Sequence, residues 1–220
     1  MKRILLAAGM AAAALVAVGL TAPAALASGT NATCTGTLMP GTYQNVTVPA
    51  QATCNLPPAA NITGDVTVAT GATLQDGGAA IGGNLQADHA ANVTVAGTVG
   101  GDVQLTATSG VNEVCGVTVG NDLVAQAGNR AAVFQIGNVT INCAGNTIEG
   151  NLTVQNNAGQ VVVFDNTVAG NISVHNNTGG GGLGGNSAGG SCQLFNDNPP
   201  ITGGGNSVPP GHQNTCNGSA

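Results

Sequence analysis

The sequence predicts an all-β protein wound as a single-stranded parallel β-solenoid, with coils of about 20 residues. Three observations predict it. First, a frame of alternating aliphatics around a glycine or asparagine recurs six times. It reads Ile62-Thr-Gly64-Asp-Val66-Thr-Val68, Ile81-Gly-Gly83-Asn-Leu85-Gln-Ala87 and Val99-Gly-Gly101-Asp-Val103-Gln-Leu105. It continues as Val119-Gly-Asn121-Asp-Leu123-Val-Ala125, Ile148-Glu-Gly150-Asn-Leu152-Thr-Val154 and Val168-Ala-Gly170-Asn-Ile172-Ser-Val174, with starts stepping by 19, 18, 20, 29 and 20 residues. Second, no proline falls between Pro58 and Pro199. Proline removes a ladder donor, so this gap fits uninterrupted strand pairing. Third, the only aromatics are Tyr43, Phe134, Phe164 and Phe195. A globular core of ordinary shape uses more, whereas a thin solenoid fills its lumen with Val, Ile, Leu and Ala.

Residues 1–27 read as an export signal. Lys2 and Arg3 form a positive start, Ile4 to Leu20 an apolar stretch, and Ala25-Leu26-Ala27 a small-residue cleavage site. The apolar stretch is about as long as a short membrane span, so an uncleaved anchor is the alternative. The Ala-x-Ala site favours cleavage, with a mature chain that begins at Ser28, is secreted and stays off the membrane.

Residues 28–58 read as an N-terminal cap coil, with Tyr43-Gln-Asn-Val-Thr-Val48 as its strand. Residues 59–178 form the regular body. Between the frames lie further expected strands at Ala72-Thr-Leu74, Asn92-Val-Thr-Val95, Asn138-Val-Thr-Ile141 and Val161-Val-Val-Phe164. Within each frame the apolar positions share one parity and so point to one side of the strand. Glycine and asparagine at the corners supply the positive-φ turns. Residues 179–220, rich in Gly and Pro, read as a looser C-terminal coil and cap. The series Asn146, Asn166, Asn186 and Asn206 carries the 20-residue interval into it. Asn forms tight turns, and stacked amides bond to those above and below.

Six cysteines follow the signal, which reads as a disulfide framework. Cys34 and Cys54 are 20 apart, Cys115 and Cys143 are 28 apart, and Cys192 and Cys216 are 24 apart, each near one coil. Register neighbours on adjacent coils lie about 4.8 Å apart, inside the range of roughly 4.4–6.8 Å that a disulfide spans. Sequential pairing is therefore natural, though other connectivities stay open. Zinc would want close pairs such as Cys-x2-Cys, which are missing.

Charge narrows the partners. Once Lys2 and Arg3 leave, Arg130 is the one basic side chain against seven Asp and two Glu. One cation cannot neutralise a run of phosphates, so nucleic acid is excluded as a partner. An anionic membrane surface is disfavoured for the same reason.

The layout of residues 59 to about 178, through its [Ile/Val]-x-Gly-[Asn/Asp]-aliphatic frame, resembles right-handed parallel β-helices. Among them it is similar to the small Gly/Asn-rich secreted solenoids of actinobacteria. Gly64-Asp-Val66 and Gly101-Asp-Val103 also resemble the repeats of bactofilins, which are polymer-forming β-helices. Bactofilin coils are somewhat shorter, and bactofilins typically lack a signal peptide and disulfides. The resemblance implies a right-handed coil and is specific for architecture rather than activity.

No catalytic, cofactor or metal constellation emerges. Asp65, Asp102 and Asp122 share or adjoin a slot that Asn84, Asn151 and Asn171 fill elsewhere. A turn position accepts both residues. In a sugar-cleaving β-helix the acids would instead line one face, with Asp65 and Asp102 about 9.6 Å apart. His89, His175 and His212 have no metal spacing. Gly180 to Gly185 satisfies Gly-x-Gly-x-x-Gly without a following helix, so it reads as a linker or wide turn. Thr47, Thr67, Thr94, Thr140, Thr153 and Ser173 each sit between aliphatics, so their hydroxyls face outward in columns. Those columns are either plain β-propensity or a candidate face for ice or a polysaccharide. The expectation is a secreted, non-catalytic structural or surface-interaction solenoid, monomeric, with cell-envelope or extracellular polysaccharide as its candidate partner. The alternatives are a polysaccharide hydrolase, or an ice- or polysaccharide-binding module.

Overall fold

The computed structural model describes residues 29–137 and 143–219. The expected export signal and the expected strand at 138–141 lie outside the described residues. What is described is all-β, and every strand pair is parallel. No described helix is long and apolar enough to cross a membrane.

Each coil contributes three strands, and like strands stack into three faces. The first face stacks short strands, from Ala60–Ile62 through Ala80–Ile81, Thr98–Val99, Thr118–Val119, Thr147–Ile148 and Thr167–Val168 to Ser187–Ala188. The second stacks Val66–Val68, Leu85–Asp88, Val103–Thr106, Leu123–Gln126, Leu152–Gln155, Ile172–His175 and Cys192–Phe195. The third stacks Thr53–Leu56, Thr73–Asp76, Asn92–Val95, Val111–Val114, Val133–Gly137, Gln160–Phe164, Gly181–Gly184 and Ile201–Gly204. One longer strand, Gly41–Val48, pairs with both Ala60–Ile62 and Val66–Val68, and so joins the first and second faces at the N-terminal end.

Parity decides what enters the lumen. On the second face Val66, Leu85, Val103, Leu123, Leu152 and Ile172 form one buried file, rung over rung. The first face adds Ile62, Ile81, Val99, Val119, Ile148 and Val168. Burying each such side chain contributes roughly 1.5–3 kcal/mol, which offsets backbone ordering. Phe134 is the largest buried side chain. Gly128 leaves it room, because a Cβ there would collide with its ring.

The step of 29 residues is an insertion in two places. Val111 pairs with Val133, so two residues are added before the third-face strand; the rest are added between Gly137 and Thr147. Frame and register then resume. The third-face strand of this coil is Val133–Gly137, and the coil before it uses Val111–Val114. Neither stands out in the sequence, because Asn112 and Glu113 interrupt one and the other lies just ahead of the insertion.

The C-terminal segment is not loose. Gly181–Gly184 is a strand in register, with Leu183 buried, rather than a linker or wide turn. A seventh frame follows as Ala188-Gly-Gly190-Ser-Cys192-Gln-Leu194, whose Ala188 and Cys192 replace the usual larger aliphatics. Its backbone fits the file even where its side chains are small.

The three disulfides pair Cys34 with Cys54, Cys115 with Cys143 and Cys192 with Cys216, at Cα separations of 5.4, 5.2 and 5.7 Å. The first ties the segment Thr30–Thr33 and its continuation to the third-face strand Thr53–Leu56. The third ties the last second-face strand to the closing segment. That segment pairs parallel at Ser207 with Ser187 and at Asn214 with Cys192, then antiparallel at Ser219 with Thr202. All three faces are thereby covered at this end.

Candidate functional site

The side chains that could meet a partner are those pointing out of the three faces. On the second face the outward file runs Thr47, Thr67, Gln86, Gln104, Val124, Thr153, Ser173 and Gln193. Two amides and a valine therefore interrupt the expected hydroxyl column between Thr67 and Thr153. Thr94 belongs to the third face, where it stacks between Gln75 and Glu113. Thr140 lies outside the described residues. The six hydroxyls thus do not form one array; the second face is instead a mixed amide and hydroxyl surface.

A second outward file on that face runs Asp88, Thr106, Gln126, Gln155, His175 and Phe195. Its side chains bond to one another along the axis. Gln126 Nε2 donates to Thr106 Oγ1 at 3.4 Å, and Gln155 Nε2 donates to Gln126 Oε1 at 2.9 Å. His175 stacks on Phe195 with ring centroids 4.7 Å apart. Gln86, Asp88, Gln104 and Thr106 line a shallow groove between the two files.

The acidic slot proves to be a ladder. Asp65 Oδ1 accepts the backbone N–H of Asn84 at 2.7 Å, and Asn84 Oδ1 accepts that of Asp102 at 2.8 Å. Asp102 Oδ1 accepts from Asp122 N at 3.1 Å, and Asp122 Oδ1 from Asn151 N at 2.7 Å. Asn151 and Asn171 carry it on to Ser191. Either residue type serves, because only a side-chain oxygen at this corner is needed. Asp102 and Asp122 are neighbours in this ladder, with Asn84 between Asp65 and Asp102.

Two further ladders are buried. Asn146, Asn166, Asn186 and Asn206 form one: Asn146 Oδ1 accepts Val117 N, and the Oδ1 of each later member accepts both the N–H and the Nδ2 of the Asn one coil earlier. Asn157, Asn177 and Asp197 form the other. Asp197 is buried, and its Oδ2 has no hydrogen-bond partner. Burial pushes its pKa above the ordinary value, against the bonds from Asn177 and the attraction of His175.

The three histidines are not brought together. His89 sits exposed beside Asp88, with Nδ1 2.9 Å from Oδ1, His175 belongs to the Phe195 stack, and His212 lies in the closing segment. Glu113 lies with Cys115 and Cys143, but those sulfurs are joined to each other.

A concavity lies on the third face near the N-terminal end. It measures about 490 Å3 and is lined by Thr37, Asn55, Leu56, Pro57, Pro58, Gln75, Asp76, Gly77 and Thr94. Asp76 occupies an inward position that Leu56 and Val95 fill on the adjoining coils. Its Oδ1 accepts the N–H groups of Gly78 and Ala79 at 3.0 and 2.8 Å, and its Oδ2 accepts Ala96 N at 3.4 Å. Burial raises its pKa despite these three bonds. The sequence held a signal for it: Leu74-Gln-Asp76 puts an acid at the same parity as a core leucine.

Compared with known proteins, the chain matches no family model, no curated protein and no solved structure.

Proposed function

We propose that this chain is an exported, disulfide-clasped structural or surface-interaction solenoid that works without catalysis. Its partner is a cell-envelope or extracellular polysaccharide held against the lateral faces. The observation that carries this reading is the use made of the carboxylates in the repeated slot. Asp65, Asp102 and Asp122 each hold a backbone N–H of the next coil. A carboxylate spent on the backbone is poorly placed to move protons for a substrate. Export and kinship with the Gly/Asn-rich actinobacterial solenoids belong to the same proposal. Three disulfides support the oxidising compartment it requires.

A polysaccharide hydrolase is the competing reading, and Asp76 favours it. A buried carboxyl with a raised pKa beside a pocket is the setting of many general acids. Incubating the oxidised mature protein with a polysaccharide panel, and scoring retention together with new reducing ends, separates the two. Retention without new reducing ends is the expected result. Reducing ends that disappear in Asp76→Asn or Asp102→Asn would establish the hydrolase instead.

A further inference from the structure

We infer that the third-face pocket is a subsite for an uncharged oligosaccharide whose chain runs along the solenoid axis. The inference rests on the surface-interaction reading and names the ligand class of one site within it.

The pocket has a polar floor and an apolar wall. Thr37, Asn55, Gln75 and Thr94 are register partners on four successive rungs, so their side chains rise in one outward file. Rungs repeat at about 4.8 Å, which places a hydroxyl or amide opposite each stretch of sugar ring. Asn55 Nδ2 already donates to Thr37 Oγ1 at 3.4 Å, so the lowest two rungs act as one unit. Beside this file stand Pro57 and Pro58, with Gly77 keeping the opposite side low. A pyranose has an apolar C–H face and polar hydroxyls at its rim. The wall and floor match those two characters. Proline loses no rotamer freedom when it is covered, so the wall is rigid before a ligand arrives. The volume of about 490 Å3 lies within the usual range for small-ligand sites.

The surroundings select against other occupants. The charged groups here are acidic: Asp76 in the lining and Glu113 on the rung after Thr94. An anionic glycan or a phosphate would meet repulsion and no cation. A peptide strand would need free backbone groups, but those of this face are committed to the parallel ladder on both sides. An acyl chain would leave the amides of Asn55 and Gln75 without partners. Asp76 spends its oxygens on the backbone of Gly78, Ala79 and Ala96, so it holds the turn after its own strand rather than touching the ligand.

Titration calorimetry of the oxidised mature protein with cellohexaose, xylohexaose, laminarihexaose and chitohexaose tests this, with hexagalacturonate as the anionic comparison. At least one neutral hexaose is expected to bind. Gln75→Ala with Thr94→Ala should weaken it on the order of tenfold, the loss of one or two net hydrogen bonds. Both positions lie outside the core, so circular dichroism should be unchanged. Gln104→Ala, on the second face, should bind as the parent does. Binding that survives the pocket variant but fails in Gln104→Ala would overturn the subsite while leaving the surface reading intact. Tighter binding of hexagalacturonate, or no hexaose binding at all, would also overturn it. New reducing ends would instead count against the non-catalytic reading.

Discussion

The ring of Phe164 lies across Gly184, its register partner one coil on, and a Cβ on Gly184 would sit 2.6 Å from Phe164 Cε1. Gly182, two residues earlier on the same strand, is also under the ring. An outward aromatic on a β-solenoid face needs somewhere to lie, and two glycines provide a flat bed. Gly181–Gly184 is therefore a packing surface as well as a strand.

Gly184→Ala should accordingly destabilise the fold by about 1–3 kcal/mol, the usual cost of overfilling a packed contact. In a Phe164→Ala background the same change should cost much less. Urea midpoints of the two single variants and the double variant measure the coupling. Additive losses would mean that the ring is not the obstacle.

The buried and exposed side-chain ladders should differ sharply in worth. Asn186 Oδ1 accepts Asn166 N and Nδ2, each at 2.9 Å, inside the molecule. Asn186→Leu strands the Asn166 N–H away from water and leaves Asn166 Nδ2 only the carbonyls of Ile136 and Phe164, at about 1–3 kcal/mol per unsatisfied group. Asn171 Oδ1 accepts Ser191 N at 2.8 Å where solvent can replace it. Asn171→Ala should cost less than about 1 kcal/mol. Equal shifts in denaturation midpoint would contradict the assignment of one ladder to the core and the other to the surface.

Much of this fold is legible because a coil must put aliphatics at one parity to fill its lumen. The frames from Ile62 to Val174 read directly as first- and second-face strands. The coil starting at Ala188 is harder to see, because small side chains suffice once its neighbours hold the backbone in register. Gly182 and Gly184 are illegible locally: Phe164, 20 residues earlier, makes glycine the suitable residue there. The pocket is similar. Asp76 looks like any surface acid until its parity with Leu74 is noticed, and Thr37, Asn55 and Pro58 reach it only through stacking.

Acid should favour this fold at two sites. Asp197 and Asp76 have pKa values raised above the ordinary 3.8, in both cases chiefly because burial penalises the charge. A raised folded pKa means that the folded state binds the proton more tightly than the unfolded chain. The contribution is complete below the unfolded value and is lost as pH rises through the folded one. Asp197→Asn keeps an oxygen for Asn177 and removes the charge. It should therefore gain stability relative to the parent as pH rises from about 4 to 7, with the difference fading below 3.8. Thermal midpoints across that range measure it; a difference independent of pH would show that the carboxyl does not titrate in the fold.

The ends of the solenoid decide whether it polymerises. A parallel stack exposes strand edges at each terminus, which template further coils unless they are covered. At the C-terminal end, Gln213 O accepts Cys192 N at 2.9 Å, and Thr215 Oγ1 accepts Leu194 N at 2.9 Å. The third face is closed by Ser219 against Thr202 in the antiparallel sense. A reversed strand cannot be extended by another parallel coil, and Pro209 and Pro210 remove two donors just before the closure. Cys192–Cys216 fixes this segment to the last second-face strand. The oxidised mature protein should therefore stay dispersed at high concentration, as rods about 40 Å long from eight stacked rungs on the third face. The double variant Cys192→Ser, Cys216→Ser releases the closing segment and should associate end to end, giving particles whose lengths are multiples of the parent's. Electron microscopy and light scattering of both proteins check it. Long filaments of the oxidised parent would show that the reversed strand does not block addition, and would turn the proposed role toward a polymer.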